Sequence, residues 1–234
     1  MSVREIEALF EEVGVRRWSD LVERNIQVRT IARAIEEGVI RRPVMRKSLG
    51  PVPGILVSPE ANVDGMRDAA IAMLLTHGEG TLYGQTAGKL LRLTDSLPPT
   101  LGILIPHRIT RMPRQVTFDA RRCRNGDLLT AEVDQQDTDL GVRVRITSLA
   151  RTVADLLHMG RRDADDYRAG ITALSRFLAA DGEPGEVLRL VARLYPDSYE
   201  HAAGLANAAH EMMATGTRRG DEDGDAYAGG GMGL

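Results

Sequence analysis

The sequence is poor in aromatic residues, lysine and cysteine. Aromatic residues make up 4% of its 234 residues, so the core must be built mainly from aliphatic side chains and Met. An aromatic platform for stacking single-stranded bases is therefore not expected. Cys123 is the single cysteine, which excludes an internal disulfide framework and any zinc site built from several cysteines.

Long apolar runs are also missing. The chain starts with the charged stretch SVREIEALFEEVG, which has no apolar region of the kind found in a signal peptide. No apolar run approaches the roughly 18 residues that are needed to cross a bilayer. We therefore expect a soluble, cytoplasmic protein with no membrane partner.

Nearly all of the positive charge is arginine. Of 30 basic residues, only Lys47 and Lys89 are lysines, and the net charge of the chain is -3. This total excludes a protein that is basic overall, but it does not exclude a basic face. Between residues 15 and 50, nine basic residues stand against four acidic ones. Such a local excess supports contact with phosphates.

The first 60 residues show the pattern of three short helices followed by a hairpin. Ile6, Leu9, Phe10 and Val13 have helical spacing, and Gly14 follows them. Ser19 is a candidate cap for a second helix with Leu21 and Val22 inward. A third helix starts at Asn25 or Gln27 and ends at Gly38, with an apolar stripe of Ile31, Ala34 and Ile35. Residues 39–59 then suit a hairpin with an irregular tip. This order predicts a winged helix-turn-helix.

The rest of the chain predicts a mixed domain and a tail. Asp64 is a candidate cap for a helix over residues 66–76, and a glycine-rich passage leads to a short helix. Candidate strands lie at 101–106, 115–119, 128–133 and 142–146, and helices at 148–159, 163–180, 186–195 and 199–214. Arg151 and Asp155 could pair on the first of these helices. The expected class is α+β, with a winged helix at 1–60, an α/β domain with C-terminal helices at 61–216 and a disordered tail at 217–234.

The predicted winged helix carries the candidate DNA-binding residues. In a helix-turn-helix, the recognition helix enters the major groove of DNA. The third predicted helix would have this role, and its outward side carries donors for base edges at Gln27, Arg29, Thr30 and Arg33. Basic residues before the second helix and on the hairpin would hold phosphates: Arg16, Arg17, Arg41, Arg42, Arg46 and Lys47. Two alternatives to DNA binding remain. The arginines could simply keep a small three-helix unit solvated, or the winged helix could serve as a protein-interaction module.

A second basic cluster lies in the predicted sheet. Its arginines are Arg108, Arg111, Arg114, Arg121, Arg122 and Arg124. They could form a second phosphate-facing surface for longer DNA or for RNA. They could equally protect a solvated sheet edge against aggregation.

Signatures of enzymes are weak. Lys89 follows Gly88 without the four-residue gap of a phosphate-binding loop. Acidic residues that could bind a divalent cation lie in a predicted solvated loop: Glu132, Asp134, Asp137 and Asp139. A nuclease of the common two-metal type also needs a nearby Lys, and the segment has none. We expect no catalytic residues, no metal and no cofactor, and keep a nucleic-acid-processing enzyme that uses the Asp134 loop as an alternative.

Three parts of the chain are similar in sequence to a known family: VRTIARAIEEGVIRRP with GILVSP, GQTAGKLLRLTDSLPPTLGILIPH, and RITSLARTVADLL. Together with the order of features over residues 5–215, they resemble the AbiEi-type antitoxins of type IV, or abortive-infection, toxin–antitoxin systems. The hairpin passage SLGPVPGIL departs from the family in being longer and in lacking an aromatic residue. The resemblance implies a DNA-binding antitoxin that represses its own operon and counters a nucleotidyltransferase-type toxin, with or without a stable complex. Dimers and cooperative monomers on DNA are both open, as is a stand-alone regulator of a mobile element.

Overall fold

Helices and short strands follow one another through most of the chain, so the protein is mixed α+β, as the sequence predicts. The computed structural model describes residues 2–45, 49–60, 65–95, 98, 100–109, 113, 118–124 and 126–222. The chain forms two compact units, residues 1–152 and residues 153–234. The division that the sequence predicts near residue 60 lies inside the first of these units.

The N-terminal elements surround a small aliphatic core. In order they are α1 (Val3–Glu12), β1 (Val15–Arg17), α2 (Trp18–Glu23), α3 (Val28–Glu36) and β2 (Ile55–Val57). Strand β1 runs antiparallel to β2, with Val15 opposite Val57, and Arg41 forms an isolated bridge with Val57. Ile6, Leu21 and Ile31 are fully buried between the helices. The apolar spacing of α1 and α3 therefore locates their buried faces correctly.

Two local predictions about this region are wrong. Helix α2 begins at Trp18 and its N-cap is Arg17, not Ser19, because the Asp20 carboxylate accepts the backbone N–H of Arg17 at 3.3 Å. Val22, expected to point inward, has an exposure of 42%. Strand β1 has no counterpart in the prediction, since three residues are too few to show an alternating pattern.

A five-stranded sheet forms the centre of the first unit. Its strands are β3 (Thr81–Leu82), β4 (Leu101–Pro106), β5 (Phe118–Cys123), β6 (Val133–Asp137) and β7 (Arg143–Thr147), in the order β5-β4-β3-β7-β6. Helix α4 (Gly65–Leu75) packs Ala72 and Met73 against Leu82, Ile103 and Ile146 of the sheet. Helices α5 (Gly84–Leu90) and α6 (Gly126–Thr130) connect strands.

Several elements of this region differ from those that the sequence predicts. The strand predicted at 128–133 is wrong, because α6 covers its first residues and β6 begins at Val133. Asp134 and Asp137 therefore lie on an edge strand and not in a solvated loop. The glycine-rich passage contains the strand β3, which was not predicted. The strand predicted at 115–119 begins at Phe118 within the described residues and continues to Cys123, while Asp64 and residues 115–117 lie outside them.

The N-terminal strands are joined to this sheet region by direct contacts. The backbone N–H of Gly14 donates to the carbonyl of Leu140 at 3.1 Å. Val15 and Val57 share a buried cluster with Ile71 of α4 and with Leu140. A methyl group added at Gly14 would lie 2.8 Å from Leu140 Cδ2, so the side chain fits closely against this glycine.

The C-terminal part of the chain is helical, as predicted. Helix α7 (Leu149–Met159) spans the division between the units, and α8 (Ala164–Ala179), α9 (Pro184–Leu194), a 3-10 turn (Pro196–Ser198) and α10 (Tyr199–Glu222) follow. Asp163 caps α8 by accepting two backbone N–H groups. Arg151 and Asp155 are both buried. Helix α10 extends past the predicted end at residue 214 and into the segment 217–234 for which we predict disorder; residues 223–234 lie outside the described residues.

Candidate nucleic-acid interface

The outer face of α3 presents the four residues predicted to read bases. Ile31 and Ala34 are fully buried, which fixes the rotation of the helix about its axis. The side chains of the opposite face are consequently exposed or half-buried: Gln27, Arg29, Thr30 and Arg33. Gln27 is the N-cap of α3, so the polar face starts at the first turn of the helix.

An open groove of about 600 Å³ runs between α3 and the start of α1. Arg29, Thr30 and Arg33 line it from α3, and Arg4 lines it from α1. Arg4 is a candidate that sequence reasoning missed. Its charge is visible in the sequence, but its place beside α3 depends on how α1 packs, and no spacing rule supplies that. The groove therefore combines arginines from two helices.

Both arginines of α3 are already oriented by neighbouring side chains. Arg29 Nε donates to Gln27 Oε1 at 2.6 Å, and Arg33 Nε donates to Glu37 Oε1 at 2.6 Å. The Arg33–Glu37 pair is open to solvent, with side-chain exposures of 72% and 41%. Both bonds use Nε, whereas a guanidinium carries four further N–H groups at its two terminal nitrogens. These terminal groups are the ones with which arginine can bond to guanine or phosphate.

The arginines before α2 have partners within the protein. Arg16 Nε and Nη2 donate to the carbonyl of Leu9 at 3.1 and 3.0 Å, and burial lowers the pKa of Arg16. Arg17 Nε donates to Asp20 Oδ1 at 2.9 Å, and its Nη1 lies 2.6 Å from His77 Nδ1. Neither arginine lines the groove beside α3. The structure therefore separates them from the polar face of that helix.

The predicted hairpin is described only in part. Arg41 and Arg42 are exposed, and Arg41 is hydrogen-bonded through its backbone to Val57. Arg46 and Lys47 lie outside the described residues. The first arm of the hairpin is fastened to α4, because buried Arg67 donates to the carbonyl of Val44 at 3.0 Å. Sequence reasoning missed this contact.

The second basic cluster lies partly on a sheet edge. Strand β5 is the outermost strand on its side of the sheet and carries Arg121 and Arg122, with exposed Arg124 just beyond it. Arg108 donates to Glu79 Oε2, with Nη2 and Oε2 2.8 Å apart. This bond raises the pKa of Arg108 and lowers that of Glu79. Arg111 and Arg114 lie outside the described residues.

The acidic segment considered for metal binding forms the opposite edge of the sheet. Asp137 Oδ1 accepts from Arg143 Nε at 2.8 Å, and this bond lowers the pKa of Asp137. Among the residues that the structure describes, no three His, Cys, Asp or Glu side chains come together as a metal site would require. The described helices include none with the length and apolar character of a membrane span.

No protein-family model and no curated protein matches the chain. The hypothesis of nucleic-acid binding therefore depends on the polar face of α3, the groove beside it and the charges that line it.

Proposed function

We propose that the protein binds double-stranded DNA through α3. The observation that carries the proposal is the groove beside this helix, where Arg4, Arg29, Thr30 and Arg33 meet on an exposed surface. Arginine recognises guanine through two donors, Gln recognises adenine, and Thr reaches a base or a phosphate. Arg4 is expected to hold a phosphate beside the major groove, while Gln27, Arg29, Thr30 and Arg33 read bases.

The order of the N-terminal elements supports a winged helix-turn-helix as the binding module. A helix, a short strand, two helices and two strand segments joined by a long connection are typical of that motif. The long connection between Arg41 and Ile55 would be the wing. Arg41, Arg42, Arg46 and Lys47 are proposed as its phosphate contacts, and Arg67 would hold its base through Val44.

The biological role that we propose is that of an antitoxin and autorepressor of the AbiEi type in a type IV toxin–antitoxin system. This role depends on the resemblance of the sequence motifs, which implies a nucleotidyltransferase-type toxin as the opposed partner. Operator DNA and such a toxin are both found in the cytoplasm, which is the location we propose. A stand-alone regulator would bind DNA through the same residues, and a nucleotidyltransferase-like reading frame beside the gene would favour the antitoxin.

DNA binding is tested with a labelled duplex from the region upstream of the protein's own coding sequence. We expect salt-sensitive binding that the double variant Arg29→Ala, Arg33→Ala weakens at least about tenfold, since each base contact contributes about 1–3 kcal/mol. The matched control is Arg168→Ala, Arg189→Ala, which removes the same charge from exposed positions on α8 and α9. Wild-type affinity in the α3 variant, or equal losses in both variants, would contradict the proposal.

The enzyme alternative is tested separately with a metal-dependent nuclease assay. Asp134 lies on the edge strand β6, and its neighbour Asp137 already accepts a hydrogen bond from Arg143. We expect the wild type and Asp134→Ala to be equally inactive on duplex DNA with Mg²⁺ or Mn²⁺. Cleavage by the wild type that Asp134→Ala abolishes would establish the enzyme.

A further inference from the structure

A second groove of about 600 Å³ lies between α2, the turn before β2 and the end of α4. This volume falls within the roughly 300–1,000 Å³ that is usual for small-molecule sites. Apolar side chains form its walls: Trp18, Val22, Pro53, Ile55, Leu74 and Leu75. All of these elements belong to the first compact unit. The groove has no part in the DNA surface proposed for α3.

The wall from α2 is unusually apolar for an exposed surface. Val22 keeps 42% of its surface exposed, and Trp18 beside it is half-buried. From α4, Leu74 and Leu75 are also half-buried. An indole with aliphatic neighbours offers a flat, hydrophobic face, against which an aromatic ring can stack or pack edge-on.

One guanidinium, that of Arg17, lies at one end of this groove. Arg17 Nη1 lies 2.6 Å from His77 Nδ1, and the imidazole nitrogen must accept this bond because a guanidinium only donates. Asp20 engages Arg17 on another nitrogen, Nε, at 2.9 Å. A neutral imidazole is a weaker partner than a carboxylate for the terminal nitrogens of Arg17. An incoming carboxylate can therefore replace His77 at Nη1.

His77 is held at this end of the groove by its backbone. Its φ is +54°, a left-handed conformation that ends α4, and the N–H of Gly78 donates to Met73 at 2.8 Å. Glu23 lines the groove as well. This carboxylate repels negative charge, so the groove favours a ligand whose single negative charge is placed at Arg17.

We propose that this groove binds a small aromatic monocarboxylate. The ring packs on Trp18 and Leu74, and the carboxylate accepts hydrogen bonds from Arg17, with His77 displaced from Nη1. This site is independent of the proposed DNA binding, because it uses none of the groove residues of α1 and α3.

The test uses 3-phenylpropionate as the probe and the emission of Trp18 as the signal. Trp18 is the single Trp of the chain, so Trp emission originates at this groove. We expect saturable binding with a Kd below about 1 mM. The uncharged 3-phenylpropan-1-ol should bind at least about fivefold more weakly, because it cannot form the charge-assisted bond. Acetate, which lacks the ring, should leave the emission unchanged.

The charged end is tested with Arg17→Gln, which should weaken 3-phenylpropionate at least about fivefold and leave the alcohol unaffected. The matched control is Arg24→Gln, at an exposed arginine that does not line the groove. Should Arg17→Gln fail to fold, His77→Asn tests the same end, because its side chain tolerates the left-handed backbone. It removes the imidazole that the carboxylate must displace, and should therefore tighten the binding of 3-phenylpropionate. Saturation-transfer NMR on the probe provides a second measurement of binding.

Three results would overturn the proposal. The first is no saturable binding up to about 5 mM probe by either measurement. The second is equal affinity for the acid and the alcohol, or wild-type affinity in both Arg17→Gln and His77→Asn. The third is a change of emission and sedimentation with protein concentration that Val22→Asp removes, because a second copy of the chain would then occupy the groove.

Discussion

Replacing Glu37 by Gln should tighten DNA binding, although it removes an ion pair. Glu37 holds Arg33 through a 2.6 Å bond to Nε and lines the same groove as the α3 arginines. In the proposed complex, its carboxylate would offset the charge of Arg33 and repel nearby phosphates. The variant Glu37→Gln keeps the size of the side chain and removes both effects.

The expected magnitude follows from the exposure of the pair. An exposed ion pair four residues apart on a helix contributes about 0.3–0.5 kcal/mol, so its loss hardly affects the fold. A carboxylate roughly 8 Å from a phosphate in water adds about 0.5 kcal/mol of repulsion before screening. Together these give about 0.5–1 kcal/mol, or a Kd that is roughly two to five times lower.

The assay is fluorescence anisotropy with the upstream duplex at low and moderate salt. The gain should shrink as salt rises, because both contributions are screened. The matched control is Glu36→Gln, which removes the same charge from an exposed neighbour that does not line the groove. In an Arg33→Ala background, Glu37→Gln should retain only the gain from lost repulsion. An unchanged Kd, or equal gains for Glu36→Gln and Glu37→Gln, would refute this reasoning.

Three further predictions concern Arg4, Asp137 and Arg151. Arg4→Gln should make the slope of log K against log salt less negative by about 0.9 and leave the sequence preference unchanged. The control Arg168→Gln should leave the slope unchanged. Equal slopes for the wild type and Arg4→Gln would show that Arg4 does not contact a phosphate. Arg143→Gln should raise the pKa of Asp137 to its ordinary value, as followed by carboxyl NMR. Because the pair lowers the folded-state pKa, its stabilising effect is present above the ordinary pKa of Asp and disappears as the pH falls through the folded value. Arg151→Met should lower the free energy of unfolding, measured in urea, by about 2–4 kcal/mol. The reason is that fully buried Arg151 donates to the carbonyls of Ala131 and Leu128 at 3.0 and 3.3 Å. The control Arg168→Met, at an exposed position, should change this free energy by less than about 0.5 kcal/mol.

The sequence best predicts those side-chain positions that depend on a single helix or strand. The spacing of Ile31 and Ala34 locates the buried face of α3, and therefore also its polar face. The spacing cannot show that Arg16 reaches back to the carbonyl of Leu9, because that bond joins two elements through a turn. It also cannot place Arg4 beside α3, because the packing of α1 decides that.

Short elements are the main source of error in the fold. The run LLTAEV alternates like a strand, yet Leu128 and Leu129 belong to the one-and-a-half-turn helix α6. The carbonyls of both leucines are hydrogen-bonded by side chains from distant positions, including Arg151 and Thr81. These long-range bonds favour a helix that local propensity does not indicate. Strand β3 has two residues and is specified by its neighbours in the sheet.

The bond between Gly14 and Leu140 has a consequence for synthesis on the ribosome. Val15 and Val57 find their buried neighbours Ile71 and Leu140 only after the chain has grown far beyond the three N-terminal helices. At about 5–20 residues per second, several seconds pass between the release of β2 and that of Leu140. During this interval one apolar side of the β1–β2 pair lacks part of its cover. A nascent chain stalled at residue 100 should therefore engage chaperones more strongly than one stalled at residue 180.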